Sequence, residues 1–324
     1  MARISKKTNP INKRDRHDPR VYASYAQLVR LQAQALSFSL LPHLPASSYL
    51  SGRHLSFFRG RGLNFEELRH YQLGDDIRSL DWKVTLRTGK PHIRVYSEEK
   101  DRHFLILVDQ RSSMFFSSQQ TMKSVIAAEI AALSAWRILK DGDRVGICVA
   151  GTEKLQWHTA SRSQSNLLAQ LSILAKENSQ LNAKSYDSPE CSFSQLVREL
   201  AKRALKQTTI LIVSDWSGCT DDDIQRLKQM QQHNDILSVM ILDPFESSLP
   251  EEIAQSGWIV GDGTNQLALD SKAKIVKATK FLEKEIDQQL HHLQRLMVIK
   301  RLSNIVLSTG GDHIQNFKRA IGGG

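Results

Sequence analysis

The amino-acid sequence predicts an α/β protein built on a doubly wound, mostly parallel sheet, preceded by a helical and β-containing extension. Three observations predict it. From His103 to the end, strand-like and helix-like segments alternate, the order that lays helices on both faces of one sheet. Several strand segments, "FLILV" and "TILIV" among them, are continuous apolar runs, which suits strands buried on both sides. Two runs end on an aspartate, Asp109 after "LILV" and Asp215 after "ILIVS". Ligands of such sheets bind at the carboxyl ends of the strands, so the two acids point to one site.

The elements follow in order. Residues 1–20, "MARISKKTNPINKRDRHDPR", are basic and polar and are expected to form a disordered tail. "YAQLVRLQAQALSFSLL" places Leu28, Leu31, Ala35 and Leu36 near helical spacing and runs up to Pro42 and Pro45, which reads as a packing arm. Residues 52–100 are rich in Arg, Gly and Asp, with short β-like pieces such as "HIRVYSEE". Residues 21–100 are therefore assigned to an arm plus β-containing extension, and 101–324 to the sheet domain. There "HFLILVD" is a strand, followed by a long helix through "SVIAAEIAALSAWRILKDG" that is apolar on much of its circumference and stops at Gly142. "RVGICVA" is the next strand, and a Gly151-Thr152-Glu153 turn leads into "KLQWHTA" as an edge hairpin. "SNLLAQLSILAK" and "SFSQLVRELAKRAL" read as helices and "TTILIVSDW" as a strand. "DDDIQRLKQMQQH" carries three acids where a helix amino terminus favours them, and Pro244 halts the strand "DILSVMIL". A hairpin at "GWIVGDGTNQLALD", a long helix over 272–302, a strand "NIVLST" and a closing helix "HIQNFKRAI" complete the chain.

Composition narrows the function classes. No apolar run approaches the roughly 20 residues of a bilayer span, and the start has no apolar signal core, so a cytoplasmic protein without a membrane span is expected. Cys148, Cys191 and Cys219 form neither a CxxC pair nor a zinc spacing and are expected to be core or near-core thiols. The formal charge of +10 is uneven, with 19 Lys and Arg against 10 Asp and Glu in residues 1–102. A basic third attracts polyanions by counterion release, yet residues 1–20 contain no interleaved Phe, Trp or Tyr to stack bases, so nucleic acid is not the expected partner. The histidines lack HExxH or HxH spacing, and there is no GxxxxGK[ST], GxSxG or strand-to-helix GxGxxG motif. Nothing in the sequence pairs a nucleophile with a base.

The stretch "LILVDQRSSM", together with Ser-Asp in "IVSDWSG", resembles the metal-ion-dependent adhesion site of von Willebrand factor A domains. That site carries Asp-x-Ser-x-Ser on a first loop, a threonine on a second and an aspartate on a third, around Mg²⁺ or Mn²⁺ with one position open for a partner's carboxylate. The resemblance implies Asp109 as first ligand, Ser113 as the second serine, Asp215 as the third-loop aspartate and Ser192, with Ser194 as rival, as the second-loop hydroxyl. Arg111 stands where the first serine belongs. Two readings follow. In the favoured one the Arg111 guanidinium is the site's own cation and no cofactor is held. In the other it swings outward, and Asp109, Ser113, Ser192 and water hold Mg²⁺ or Mn²⁺, which demand hard oxygen ligands.

A longer resemblance starts upstream. "GRGLNFEELRHYQLGDDIRSLDWKVTLRTGKPHIRVYSEEKDR", continued by "LILVDQRSSM" and later "LDPFESSLP", is similar to a bacterial family catalogued as domain of unknown function 58, with a degenerate von Willebrand A fold. The resemblance implies an accessory protein of MoxR-type AAA+ ATPases: a non-enzymatic adaptor in protein remodelling or maturation, with other von Willebrand A proteins as further partners. Two other classes stay open, a nucleic-acid binder acting through the basic first third and a metal-dependent hydrolase using carboxylates near Asp75, Asp81, Asp109 and Asp215. Within the central motif, Asp75, Asp76, Arg78, Asp81 and Trp82 form either a partner-recognition or catalytic surface or an internal ion-pair network that pins the extension to the domain, with Trp82 as its apolar anchor. The network is the favoured expectation, since such networks also serve structure.

Overall fold

The apolar runs meet in one sheet. A computed structural model describes residues 3–5, 18–38, 54–56, 63–72, 75–98, 102–247, 249, 259–261, 266–268, 272–297 and 304–322. With strands numbered along the whole chain, β5 (His103–Asp109), β6 (Arg144–Ala150), β7 (Leu155–Trp157), β8 (Thr208–Ser214), β9 (Asp235–Leu242) and β12 (Asn304–Ser308) pair in the order β12-β9-β8-β5-β6-β7. All neighbours are parallel except the β6–β7 edge pair. The two central strands are buried from Phe104 to Asp109 and from Thr208 to Ser214, which is why they show no polar alternation.

Helices cover both faces. Among them are α3 (Lys123–Lys140), α4 (Gln164–Gln180), α5 (Phe193–Lys202), α6 (Asp221–Met230), α8 (Lys272–Met297) and α9 (His313–Gly322). The chain leaves β5 towards β6 and β7, then crosses back to build β8, β9 and β12 on the other side. Strand order therefore reverses between β5 and β8, and a crevice at such a switch point is where open α/β sheets place ligands.

Helix α3 is buried on nearly its whole circumference, because the arm covers the side that the sheet leaves open. Ser24 caps α1 (Tyr25–Arg30) through a capping box, and the 3-10 segment Leu31–Ser37 continues along α3. Leu28, Leu31 and Ala35 are buried there, while Leu36 is 60% exposed. Trp136 Nε1 donates to the Leu28 carbonyl at 3.1 Å. The division expected from sequence, with 21–100 as one extension, is thus corrected. The arm belongs with the sheet domain in a unit of residues 1–43 and 103–324, and residues 44–102 form a second unit. The arm's apolar stripe, Leu28, Leu31 and Ala35, packs on a helix of its own unit, so burial decides the boundary.

The expected disordered tail is also corrected in part. Arg3–Ser5 form strand β1, antiparallel to β10 (Ile259–Gly261), which pairs with β11 (Gln266–Ala268) as the expected hairpin. A hairpin edge offers unpaired backbone groups that even a polar segment can satisfy. Residues 6–17 lie outside the described residues.

The smaller unit is an antiparallel sheet of β2 (His54–Ser56), β3 (Leu63–His70) and β4 (His92–Glu98) in the order β2-β4-β3. Between β3 and β4 the chain carries the 3-10 turn Ile77–Ser79 and helix α2 (Trp82–Thr88). Gly89 ends α2 with a φ of 68°, a left-handed conformation that glycine adopts without cost to a side chain.

Candidate functional site

Three adjacent strands end on acids at the carboxyl edge of the sheet: Asp109 closes β5, Asp215 follows β8 and Asp243 follows β9. The first two flank the switch point, as the sequence predicts. Both are fully buried, and an isolated buried carboxylate is costly. The chain answers with its own cations.

Arg111 turns inward and is only 5% exposed. Its Nη2 donates to Asp109 Oδ2 at 2.8 Å and its Nε to Asp109 Oδ1 at 3.0 Å, a bidentate pair of the strong kind. The same Nη2 donates to the Ser217 carbonyl at 3.1 Å and lies 3.8 Å from Asp215 Oδ1. Ser214 Oγ donates to Asp109 Oδ2 at 2.6 Å. Phe193 lies beneath the guanidinium at 5.5 Å and stacks, tilted, on Trp216 at 5.2 Å. Trp216 holds a φ of 58°, unusual for a bulky residue, with its N–H donating to Ser214 Oγ at 2.9 Å. The turn thereby keeps Asp215 facing Arg111.

A second cation lies on the other side of Asp215. Lys123, the first residue of α3, is fully buried; its Nζ donates to Asp215 Oδ2 at 2.9 Å and to Glu246 Oε1 at 2.5 Å. Glu246 belongs to the short helix α7 (Pro244–Ser247), and its Oε2 accepts from the Asp243 N–H at 3.0 Å. Burial alone would raise the Asp215 pKa, but Lys123 and Arg111 outweigh it and hold the carboxyl below its ordinary value. Burial would likewise lower Lys123, yet Asp215 and Glu246 raise it, so it stays charged. Burial pushes Glu246 up, and Lys123 offsets only part of that. Two cations and three carboxylates thus form one chain of contacts, Asp109–Arg111–Asp215–Lys123–Glu246.

Asp187 and Asp243 complete the rim. Asp187 accepts from the Ser112 N–H at 2.7 Å and from Ser112 Oγ at 2.9 Å. Asp243 accepts from the Ser118 N–H at 2.7 Å and from Thr309 Oγ1 at 2.6 Å.

Of the hydroxyls expected as ligands, Ser192 and Ser194 are engaged elsewhere. Ser113, in the 3-10 turn Ser112–Met114, has its Oγ buried without a hydrogen-bond partner. Ser192 caps α5, its Oγ accepting from the Gln195 N–H at 3.3 Å, and Ser194 Oγ donates to Asp223 Oδ2 at 2.6 Å. The structure therefore brings Asp109, Arg111 and Asp215 together and gives Ser192 a local helix cap. A cap competes for the same oxygen because the free N–H groups of a helix start need acceptors.

This donor set does not fit Mg²⁺ or Mn²⁺. An octahedral ion needs several oxygens about 2.0–2.1 Å away, whereas both oxygens of Asp109 face Arg111 and Ser214, and a guanidinium nitrogen stands between Asp109 and Asp215. Sequence reading missed Ser214, Lys123, Glu246 and Asp187. For Lys123 the sequence offers only a cation at the start of a largely apolar helix, a position that reads as solvated. The thiols are chemically quiet: Cys148 and Cys191 are buried, Cys219 is partly so, and burial pushes Cys191 up to about 11 and Cys219 to about 12.

In the smaller unit the motif divides its labour. Asp75 pairs bidentately with Arg69, at 2.8 and 2.9 Å, and accepts from the Gln72 N–H at 2.7 Å. Asp76 caps the 3-10 turn through the Arg78 N–H at 2.9 Å. Asp81 caps α2 through the Lys83 and Val84 N–H groups and accepts from Arg94 Nε at 2.7 Å. Hydrogen bonds from Arg69 and Arg94, respectively, are the largest influences holding Asp75 and Asp81 below the ordinary carboxylate range. Asp75 and Asp81 thus form ion pairs within this unit, and two details differ from the expectation. The guanidiniums come from β3 and β4 while Arg78 stays exposed, and Trp82 is 61% exposed rather than an apolar anchor. Packing, not composition, decides which cation reaches an acid.

An open sheet with order reversal between two acid-ending strands, and loops arranged as an adhesion site with side-chain cations inside it, defines a von Willebrand factor A-like domain. Residues 67–265 match the family "Protein of unknown function DUF58", and the chain belongs to that family. Uncharacterized protein Rv1480 of Mycobacterium tuberculosis (strain ATCC 25618 / H37Rv) is 23% identical over 238 residues, 72% of each chain. Uncharacterized protein Mb1516 of Mycobacterium bovis has the same identity and coverage. Among solved structures, the conserved hypothetical protein BatB from Bacteroides thetaiotaomicron aligns at 11% identity and a TM-score of 0.39, over 68% of this chain and 96% of that one. The SpRpn10 VWA domain aligns at 15% identity and a TM-score of 0.32, over 44% and 76%.

Proposed function

We propose that the chain is a non-enzymatic, cytoplasmic adaptor that binds other proteins and works with a MoxR-type AAA+ ATPase in their remodelling or maturation. The observation that carries the reading is the internal compensation of the switch point. Asp109 and Asp215 are buried and held by Arg111 and Lys123, so the cluster's chemistry is spent on holding loop geometry. A general base or nucleophile must be within reach of a substrate's reacting atom, and these carboxylates face inward onto cations.

Two side-chain cations take the place of a divalent ion in this reading, and the loops at the carboxyl edge are preorganised without metal. Preorganised loops bind with a smaller entropic penalty than loops that must order on contact. The ATPase partner rests on the family resemblance read from the central motif. Nothing in the site favours a nucleic-acid or hydrolase reading over this one.

The test is direct association. Purified chain is mixed with each MoxR-type ATPase of the same organism, and complex formation and ATP turnover are measured. The reading expects a complex with at least one of them and a changed turnover rate. Neither association nor rate change with any of them would end it.

A further inference from the structure

The acids of the central motif build a mount, and what they mount faces outward. Helix α2 is fixed at its start by Asp81, which caps it and pairs with Arg94 on β4. At its inner side the His92 N–H donates to Thr85 Oγ1 at 3.1 Å, and the Asp81 N–H donates to the His92 carbonyl at 2.8 Å. Val84 and Thr85 are accordingly half-buried. Trp82 and Leu86, four residues apart and so on one face, are 61% and 83% exposed. Lys83 and Arg87 form the neighbouring column with the same spacing, Lys90 follows the cap, and Ile77 in the preceding turn is 61% exposed.

Charge identifies what this face fits. Arg78, Lys83, Arg87 and Lys90 are exposed, and among the described residues no carboxylate pairs with them. Asp75 and Asp81 are already engaged with Arg69 and Arg94. Among the described residues, this face of α2 therefore shows an apolar stripe with a basic flank, and the one further acid beside it, Asp76, caps the preceding turn through the Arg78 N–H. We propose that the outward face of α2 docks an acidic, amphipathic segment of a partner protein, its apolar side on Trp82 and Leu86 and its carboxylates on Lys83, Arg87, Arg78 and Lys90. This deepens the adaptor reading and rests on it for the partner's identity.

Other polyanions fit less well. Trp and Arg are the residues that dominate protein hot spots, and charged flanks set specificity and on-rate. A bilayer needs more than this small stripe, since even a full myristoyl chain gives only marginal anchoring. Single-stranded nucleic acid stacks successive bases on several aromatics, and α2 carries Trp82 alone.

The experiment titrates the full chain into a fluorescein-labelled synthetic helix of Glu and Leu, apolar on one face. Phosphatidylserine vesicles and labelled oligo-dT serve as competing probes. The peptide is expected to bind in a salt-sensitive way, with affinity falling about tenfold or more in Trp82→Ala and in Lys83→Glu/Arg87→Glu. Unchanged thermal unfolding of these variants shows that they fold. Failure of the peptide to bind, variants that bind it as wild type does, or preference for vesicles or oligo-dT would each overturn the proposal. A separate arm uses the MoxR-type ATPases. If one binds wild type and Trp82→Ala/Leu86→Ala equally, the α2 face is wrong and the adaptor reading stands. If none binds while the peptide arm behaves as expected, the adaptor reading falls and the face remains.

Discussion

At the scale of single residues, the arrangement of Arg111 and Lys123 around Asp215 makes distinct predictions for neighbouring groups. Removing one member of a buried ion pair leaves the other uncompensated, which costs roughly 3–5 kcal/mol. Arg111→Ala, measured by urea unfolding, is expected to lose stability of that order because Asp109 keeps only Ser214 and its own loop amide. The two carboxylates on Lys123 should behave differently with pH. Asp215 is held below its ordinary value of 3.8, so its ionised form adds stability that is present above that value and lost as pH falls through the lowered one. Glu246 is raised above 4.5; its contribution is present below that value and lost as pH rises through the raised one. At neutral pH, then, Asp215→Asn should destabilise more than Glu246→Gln, and Asp215→Asn should flatten the acid limb of the unfolding curve. Equal losses, or the reverse order, would show that the charges are not shared in this way.

At the scale of elements, the arm and the loop after β5 are joined by polar contacts that sequence spacing does not reveal. Gln110 Oε1 accepts from Asn178 Nδ2 at 2.8 Å, and Asn178 Oδ1 accepts from the Ala23 N–H at 2.7 Å. Glu129 on α3 accepts from Gln27 Nε2 of the arm at 2.7 Å and pairs through its other oxygen with His313 at the start of α9. Arm, site loop and last helix thus lean on the same two helices. Deleting residues 2–17 removes the short strand β1 but leaves the arm from Asp18, and is expected to shift the melting temperature by only a few degrees. Deleting residues 2–38 strips Leu28, Leu31 and Ala35 from α3 and should cost several kcal/mol, since each large buried side chain contributes about 1.5–3 kcal/mol. Similar melting temperatures for the two truncations would contradict the packing described.

At the scale of the whole molecule, legibility followed the physical range of each signal. Strands such as 103–109 and 208–214 could be read because two-sided burial writes itself as a continuous apolar run, and Asp109 and Asp215 because they interrupt those runs at the binding edge. Helix α3 was legible in the same way. The inward turn of Arg111 was expected from its place in the loop. Lys123 was not, since a lysine at a helix start reads as solvated until α7 brings Glu246 to it from 123 positions away. Glu129 and His313 meet across 184 positions, beyond any periodicity. Trp82 misled for the opposite reason: a tryptophan among charges suggests an anchor, and only the placement of Asp81 and Thr85 shows that its helix turns it outward.

The central claim is that the switch point carries its own cations in place of a divalent ion. At an effective dielectric of about 20, a unit charge 4 Å away is worth roughly 4 kcal/mol, and Arg111 and Lys123 both stand within that distance of Asp215. An entering Mg²⁺ would meet two like charges and a carboxylate pair already engaged. The most direct measurement is calorimetric titration of the wild-type chain with Mg²⁺ and Mn²⁺ at millimolar concentration, with Arg111→Ser alongside. The account predicts no saturable heat for the wild type and saturable binding once the guanidinium is gone; one-to-one binding by the wild type, unchanged in Arg111→Ser, would contradict it.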